Sequence, residues 1–221
     1  MTIERRGLAM AALAACACTL LSGCSYRTTE PASDGNPAGV QISGVTRDLT
    51  YRGTEPAEPY QMPDITLRAD NGNPFNLIRD TAYPVTLVFF GYTHCPDACP
   101  LILNGLAATY RRLPPAVRAE TQVLFVTTDP ARDTDAALRA YLARFDPSFV
   151  GLSGSSRDIL AAAESMGVPV SGIRRLPGGG YEVGHGVQVI GFRGNEAPVI
   201  WTEGTPVAAM VTDVVALARK P

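Results

Sequence analysis

Two short, continuous apolar runs stand out along the chain. Residues 85–90, directly after Pro84, and residues 122–127 carry almost no polar break. Runs of this length predict strands buried on both faces. Between them, residues 101–113 have helical spacing and are closed by Pro114-Pro115. Pro100 is tolerated only in a first helical turn, so this helix is predicted to begin near it. Leu138, Tyr141, Leu142 and Phe145 fall at i, i+3, i+4 and i+7 and form one apolar stripe. Asp133 or Thr134 can cap that helix. Residues 149–152 predict a short strand. Ser155 with Asp158 then resembles a capping box, Ile159, Leu160 and Ala163 are expected to face the core, and Gly167 ends the helix. A hairpin is predicted from residues 65–68 and 75–78 around Asn71-Gly72-Asn73, and a later one from 187–192 and 199–202 around Gly194-Asn195. Thr205-Pro206 opens a final helix whose Val207, Met210, Val211, Val214 and Ala218 share a face. Strands alternating with helices, then a closing hairpin and helix, make an α/β fold with a mixed central sheet.

The N-terminus has a different pattern. Arg5 and Arg6 precede a charge-free stretch from 8 to 21 that is short for a membrane span but suits a signal sequence. It ends in Leu21-Ser22-Gly23-Cys24, which resembles a bacterial lipobox. The expected organisation is a signal peptide over 1–23, a lipidated Cys24 with a flexible linker over 24–40, and one domain over 41–221. This predicts an exported protein anchored by lipid to the outer face of the cytoplasmic membrane, where disulfides are permitted. A net charge of −2 over 221 residues offers no basic field, so nucleic acid is excluded as an expected partner. Of five Cys, Cys16 and Cys18 would leave with the leader and Cys24 would carry lipid, so Cys95 and Cys99 remain as thiols.

Those two sit in Gly91-Tyr92-Thr93-His94-Cys95-Pro96-Asp97-Ala98-Cys99-Pro100, between a buried strand and a helix N-terminus. The positive end of a helix favours thiolate. Two thiolates are soft ligands that suit Cu(I), with Zn as competitor, and a closed zinc site needs four ligands. The same pair can instead form a disulfide, acting as a staple or as a redox couple. Only His94 and His185 can add an imidazole. His94 adjoins Cys95 and reads as structural or as support for the site, while His185 precedes a predicted strand. Gly178-Gly179-Gly180 reads as a flexible hairpin tip, and Trp201 as packing.

The segment 91–100 is similar to the signature of the Sco/SenC copper-binding proteins. So are Val126-Thr127-Thr128-Asp129-Pro130-Ala131-Arg132-Asp133-Thr134 and Phe149-Val150-Gly151-Leu152-Ser153-Gly154, and a His stands at the expected distance. The resemblance covers about residues 62–218. It implies a thioredoxin-like fold and a membrane-tethered copper metallochaperone that matures the copper centre of cytochrome c oxidase. It further implies Cys95, Cys99 and His185 as ligands of copper, as Cu(I) with Cu(II) also open, and places Asp129 close behind the metal site. The implied partners are the copper-accepting subunit of the oxidase or another copper chaperone. The alternative is a thiol-disulfide oxidoreductase that uses Cys95 and Cys99 to keep acceptor cysteines reduced. Peroxidase chemistry is disfavoured because Tyr92 stands where peroxiredoxins have a Thr. The family usually has Asp directly before the ligand His and a hydroxyl residue after it. Gly184 and Gly186 stand in those places, which predicts a more mobile loop and an imidazole without a carboxylate to orient it.

Overall fold

A computed structural model of the chain describes residues 50–177 and 179–219. The expected leader, Cys24 and linker lie outside the described residues. The elements in order are β1 (Tyr60–Gln61), β2 (Thr66–Ala69), β3 (Pro74–Asn76), β4 (Val85–Gly91), α1 (Ala98–Arg112), α2 (Pro115–Ala119), β5 (Thr121–Thr127), α3 (Asp135–Leu142), β6 (Val150–Ser153), α4 (Ser156–Ser165), β7 (Val170–Arg175), β8 (Tyr181–His185), β9 (Val189–Arg193), β10 (Glu196–Trp201) and α5 (Val207–Arg219). Eight strands form one mixed sheet in the order β1-β10-β9-β4-β5-β6-β2-β3, while β7 and β8 pair only with each other. The β4-β5-β6 unit is parallel, and β9 runs antiparallel to β4.

Every residue of β4 and β5 is buried, as their unbroken apolar runs predict. Alternation within the strands splits them between two cores. Leu87, Phe89 and Phe125 pack with Leu103, Leu106, Leu138, Met210 and Val214 on one face. Val88, Phe90, Leu124 and Val126 pack with Ile159, Ala162 and Met166 on the other. Covering both faces is what a parallel sheet requires.

The structure alters several expectations. Helix α1 begins at Ala98, because Asp97 caps it by accepting from the Ala98 N–H at 2.6 Å, so Cys99 lies in the first turn. Pro115 does more than end α1, since it opens the short helix α2 at the first-turn position it favours. Thr134 rather than Asp133 is the cap of α3, and Phe145 lies beyond that helix, packed on the core. Leu160 is 47% exposed, because the inward face of α4 runs through Ile159, Ala162 and Ala163. In α5 the buried positions are Met210, Asp213, Val214 and Leu217, so the face is rotated from the one expected. Asp213 is fully buried and accepts from the Arg52 and Gly53 amides and the Trp201 indole at 2.8–2.9 Å, binding the first described residues to the end of the sheet.

Candidate metal centre

The cysteine loop leaves the sheet at the C-terminal end of β4, a usual place for a site in an α/β sheet. Gly91 ends that strand, and a Cβ there would lie 2.9 Å from both the Cys99 sulfur and the Phe125 ring. A glycine is therefore what lets α1 bring Cys99 against the strand end. The loop is fixed from below by Asp133, which is fully buried. Its carboxylate accepts from the Thr93 N–H at 3.0 Å and from the Thr93 and Thr127 hydroxyls at 2.6 Å each. Its sequence reading as a helix cap missed this role. The available signal was its nearness to Thr127 at the end of a buried run.

Cys95, Cys99 and His185 are brought together although 86 residues separate Cys99 from His185. One ligand atom from each lies within 4.8 Å of the others. Cys99 is buried, and Cys95 and His185 are half-buried. His185 ends β8, in a hairpin whose tip the sequence marked but whose arms it did not. Its Nε2 is 3.6 Å from the Cys99 sulfur, and its Nδ1 is 2.9 Å from the Gly186 carbonyl. A carbonyl can only accept, so Nδ1–H donates to it and Nε2 is the nitrogen left facing the sulfurs. The imidazole is thus oriented without the carboxylate that the family pattern supplies. Phe89 and Tyr92 meet the ring edge-on, at 6.3 and 5.7 Å between centroids. A Cβ on Gly184 would lie 2.1 Å from the hydroxyl oxygen of Ser171, its cross-strand partner, so Ser171 fills the space a larger side chain would need.

The two sulfurs share one proton unequally. The Cys95 thiol is lowered to about 4, first by the hydrogen bond from the Cys99 thiol, against the opposing effect of burial, and then by His185 and the Cys99 and Asp97 amides. Cys99 is pushed far up, by that same hydrogen bond and by burial. One thiolate and one thiol result, with the thiolate on the outer sulfur. A cleft of about 400 Å³ opens beside the outer sulfur, lined by Cys95, Asp97, Ser171, Gly184 and His185 among others, with Cys99 buried behind it.

His94 points away from the trio: its Nδ1 is 3.0 Å from the Thr93 hydroxyl and 3.7 Å from Asp133, and its side chain is exposed. Asp129 is buried, and its two oxygens meet the Tyr181 hydroxyl and the Arg132 guanidinium. Arg132 and Tyr181 were not singled out from the sequence.

Comparison with known proteins follows the same outline. The family model described as SCO1/SenC matches residues 59–218. The chain is 36% identical over 110 residues to "Protein SCO1 homolog 1, mitochondrial" of Arabidopsis thaliana, a stretch covering 46% of this chain and 33% of that protein. Solution structures of apo Sco1 from Thermus thermophilus superpose with a TM-score of 0.66 at 32% identity, covering 79% of this chain and 99% of that one. The crystal structure of yeast Sco1 with copper bound gives 0.67 at 27% identity, covering 74% and 91%. The expected thioredoxin-like fold is borne out. The chain spans between a third and about a half of the length of the curated relatives it matches. Among the described residues, no helix is long and apolar enough to cross a membrane.

Proposed function

We propose, from the premise that this chain belongs to the SCO1/SenC family, that it is a copper metallochaperone serving cytochrome c oxidase. The observation that carries this reading is the convergence of Cys95, Cys99 and His185 within 4.8 Å at the mouth of an open cleft. The chemistry of the set fits the cargo. Two soft sulfurs and one neutral imidazole nitrogen complete three-coordinate Cu(I), whereas a closed zinc site would need a fourth ligand. Cys95 is already deprotonated at neutral pH, so loading must release the proton of Cys99. The half-exposed Cys95 and the cleft leave room for cysteines of an acceptor to replace these ligands one at a time. Bridging Cys95 to Cys99 would remove both sulfurs from the set, so redox state gates loading.

The acceptor we propose is the copper-accepting subunit of the oxidase or another copper chaperone. We also propose the leader over 1–23, lipidation of Cys24, the linker over 24–40 and the domain from 41 as the means of tethering it to the outer face of the cytoplasmic membrane.

A second reading rests on the sulfur asymmetry. An acidic, half-exposed Cys95 beside a buried Cys99 suits attack on an acceptor disulfide, followed by resolution. Cys95 would form a mixed disulfide, and Cys99 would displace the acceptor thiol. The products are a Cys95–Cys99 bridge and a reduced acceptor.

Cu(I) titration of the reduced protein against a competing chelator tests the first reading. One-to-one binding is expected, weakened strongly in Cys95→Ala, Cys99→Ala and His185→Ala. Wild-type affinity in all three variants would refute the ligand assignment. Loss of acceptor maturation in His185→Ala with unchanged disulfide exchange would count against a purely redox role.

A further inference from the structure

The β7–β8 hairpin lies outside the eight-stranded sheet, yet it must deliver His185 to sulfurs held by β4 and α1. Its base is tied to the chain beside it, through the Gly186 N–H to the Pro169 carbonyl at 2.7 Å and the Gln188 amide to the Gly167 carbonyl at 2.8 Å. The far end of β8 is held by other means. The Tyr181 hydroxyl donates to Asp129 Oδ1 at 2.9 Å. The Arg132 guanidinium carbon stands 3.6 Å from the centroid of the Tyr181 ring and 5.7 Å from that of Tyr92, and Arg132 pairs with the other oxygen of Asp129. Tyr92 in turn meets the His185 ring edge-on. One guanidinium therefore touches the hairpin, the cysteine loop and a buried carboxylate on the loop after β5. A planar cation can serve two ring faces and a carboxylate at once. Tyr92, Arg132 and Tyr181 belong to neither of the two apolar clusters that form the core. Parting Arg132 from Tyr181 would therefore loosen the far end of the hairpin without unpacking the sheet, while Val170 stays packed against the core at its base.

We propose that Arg132 and Tyr181, acting through Asp129, are positioning residues for His185. They hold the hairpin closed over the cysteine loop. When they part, the imidazole withdraws and both sulfurs stay in place. The apparent hold on a three-coordinate cargo then scales with the fraction of molecules in which the hairpin is closed. This use of the clasp rests on the copper reading above, but its geometry does not.

The experiment has two arms, both on the reduced, full chain. Amide hydrogen exchange without copper reads the clasp alone. In Tyr181→Phe and Arg132→Ala, exchange over residues 170–185 should quicken about tenfold, as expected for losing a bond to a charged group, while β4 and β5 stay protected. Cu(I) competition reads its effect on the site. Each variant should bind measurably more weakly with His185 present, by a factor below the tenfold rise in hairpin opening, and neither should lose more in a His185→Ala background. Tyr181→Phe, which keeps the stacked ring, should lose less than Tyr181→Ala. Unchanged hairpin exchange, or an equal loss of affinity with and without His185, overturns the proposal. Absence of Cu(I) binding in the wild type would sink the copper reading instead, and the exchange arm would still decide the clasp.

Discussion

The unequal sharing of one proton by Cys95 and Cys99 makes a rate prediction with a distinctive shape. The Cys95 thiol is lowered from 9.0 to about 4. An ordinary thiol at 9.0 is about 1% thiolate at pH 7, whereas Cys95 is fully ionised there. Against that, nucleophilicity falls with pKa, and a coefficient of about 0.45 over a five-unit shift slows the thiolate roughly two-hundredfold. The two effects nearly cancel at pH 7. At pH 5 the ionisation advantage is about ten-thousandfold, so Cys95 should react roughly fifty times faster than an ordinary thiol; at pH 9 it should be about a hundred times slower. The assay is modification of reduced, copper-free protein by methyl methanethiosulfonate, followed by mass spectrometry at Cys95. The rate should be flat from pH 9 down to about pH 5 and fall by half near pH 4, the direction expected when protonation of a depressed thiol removes the nucleophile. Cys99→Ala removes the thiol that donates to Cys95 and should move the inflexion up towards the ordinary range. A rate that climbs tenfold per pH unit between 6 and 8 in the wild type would refute the reasoning. An inflexion unmoved in Cys99→Ala would refute its assigned cause.

Two further outcomes follow from the loop. Asp133→Ala leaves the Thr93 N–H and the Thr93 and Thr127 hydroxyls without their buried acceptor; a loss of roughly 3 kcal/mol is expected, or about 10 °C in melting temperature, and a shift under 2 °C by circular dichroism would contradict it. Gly91→Ala drives a methyl against the Cys99 sulfur and Phe125 and should cost roughly 1–3 kcal/mol and weaken Cu(I) binding, whereas Gly105→Ala, in open space on α1, should gain roughly 0.5–1 kcal/mol with binding unchanged.

How much was legible in the sequence follows from how local each determinant is. The apolar runs of β4 and β5 and the stripe of Leu138, Tyr141 and Leu142 record burial directly, so the central sheet and its helices could be read. The Cys95/Cys99 spacing carried its own chemistry. The β7–β8 arms could not be read because strand β7 is mostly exposed and offers no alternation, only Ser171, Gly172, an exposed Ile173 and two arginines after Val170. The face of α5 was misplaced because buried Asp213 breaks the apolar pattern, and its burial depends on donors from residues 52, 53 and 201. Gly184, standing where the family has an Asp, looked like a loss of orientation at His185, but the next residue after the His, Gly186, makes it good. Its backbone carbonyl supplies the orientation instead, and a carbonyl is present at every residue and so leaves no mark in a sequence. Arg132 and Tyr181 meet only through the fold, 49 positions apart as numbered in the chain.

The place of β9 in the sheet has a consequence in time. Strand β4, which ends at the cysteine loop, is flanked by β5 and by β9, and β9 begins after His185. Helix α5, which closes the core beneath α1, comes later still. A chain growing at about 5–20 residues per second therefore displays both thiols for several seconds before the strand that flanks β4 on its other side exists. All three candidate ligands are present by residue 185, yet the scaffold that holds the sulfurs is completed by residues 189–219, none of which is a candidate ligand. The segment after His185 acts as a timer, because the site takes its shape only once residues beyond its third candidate ligand have been made.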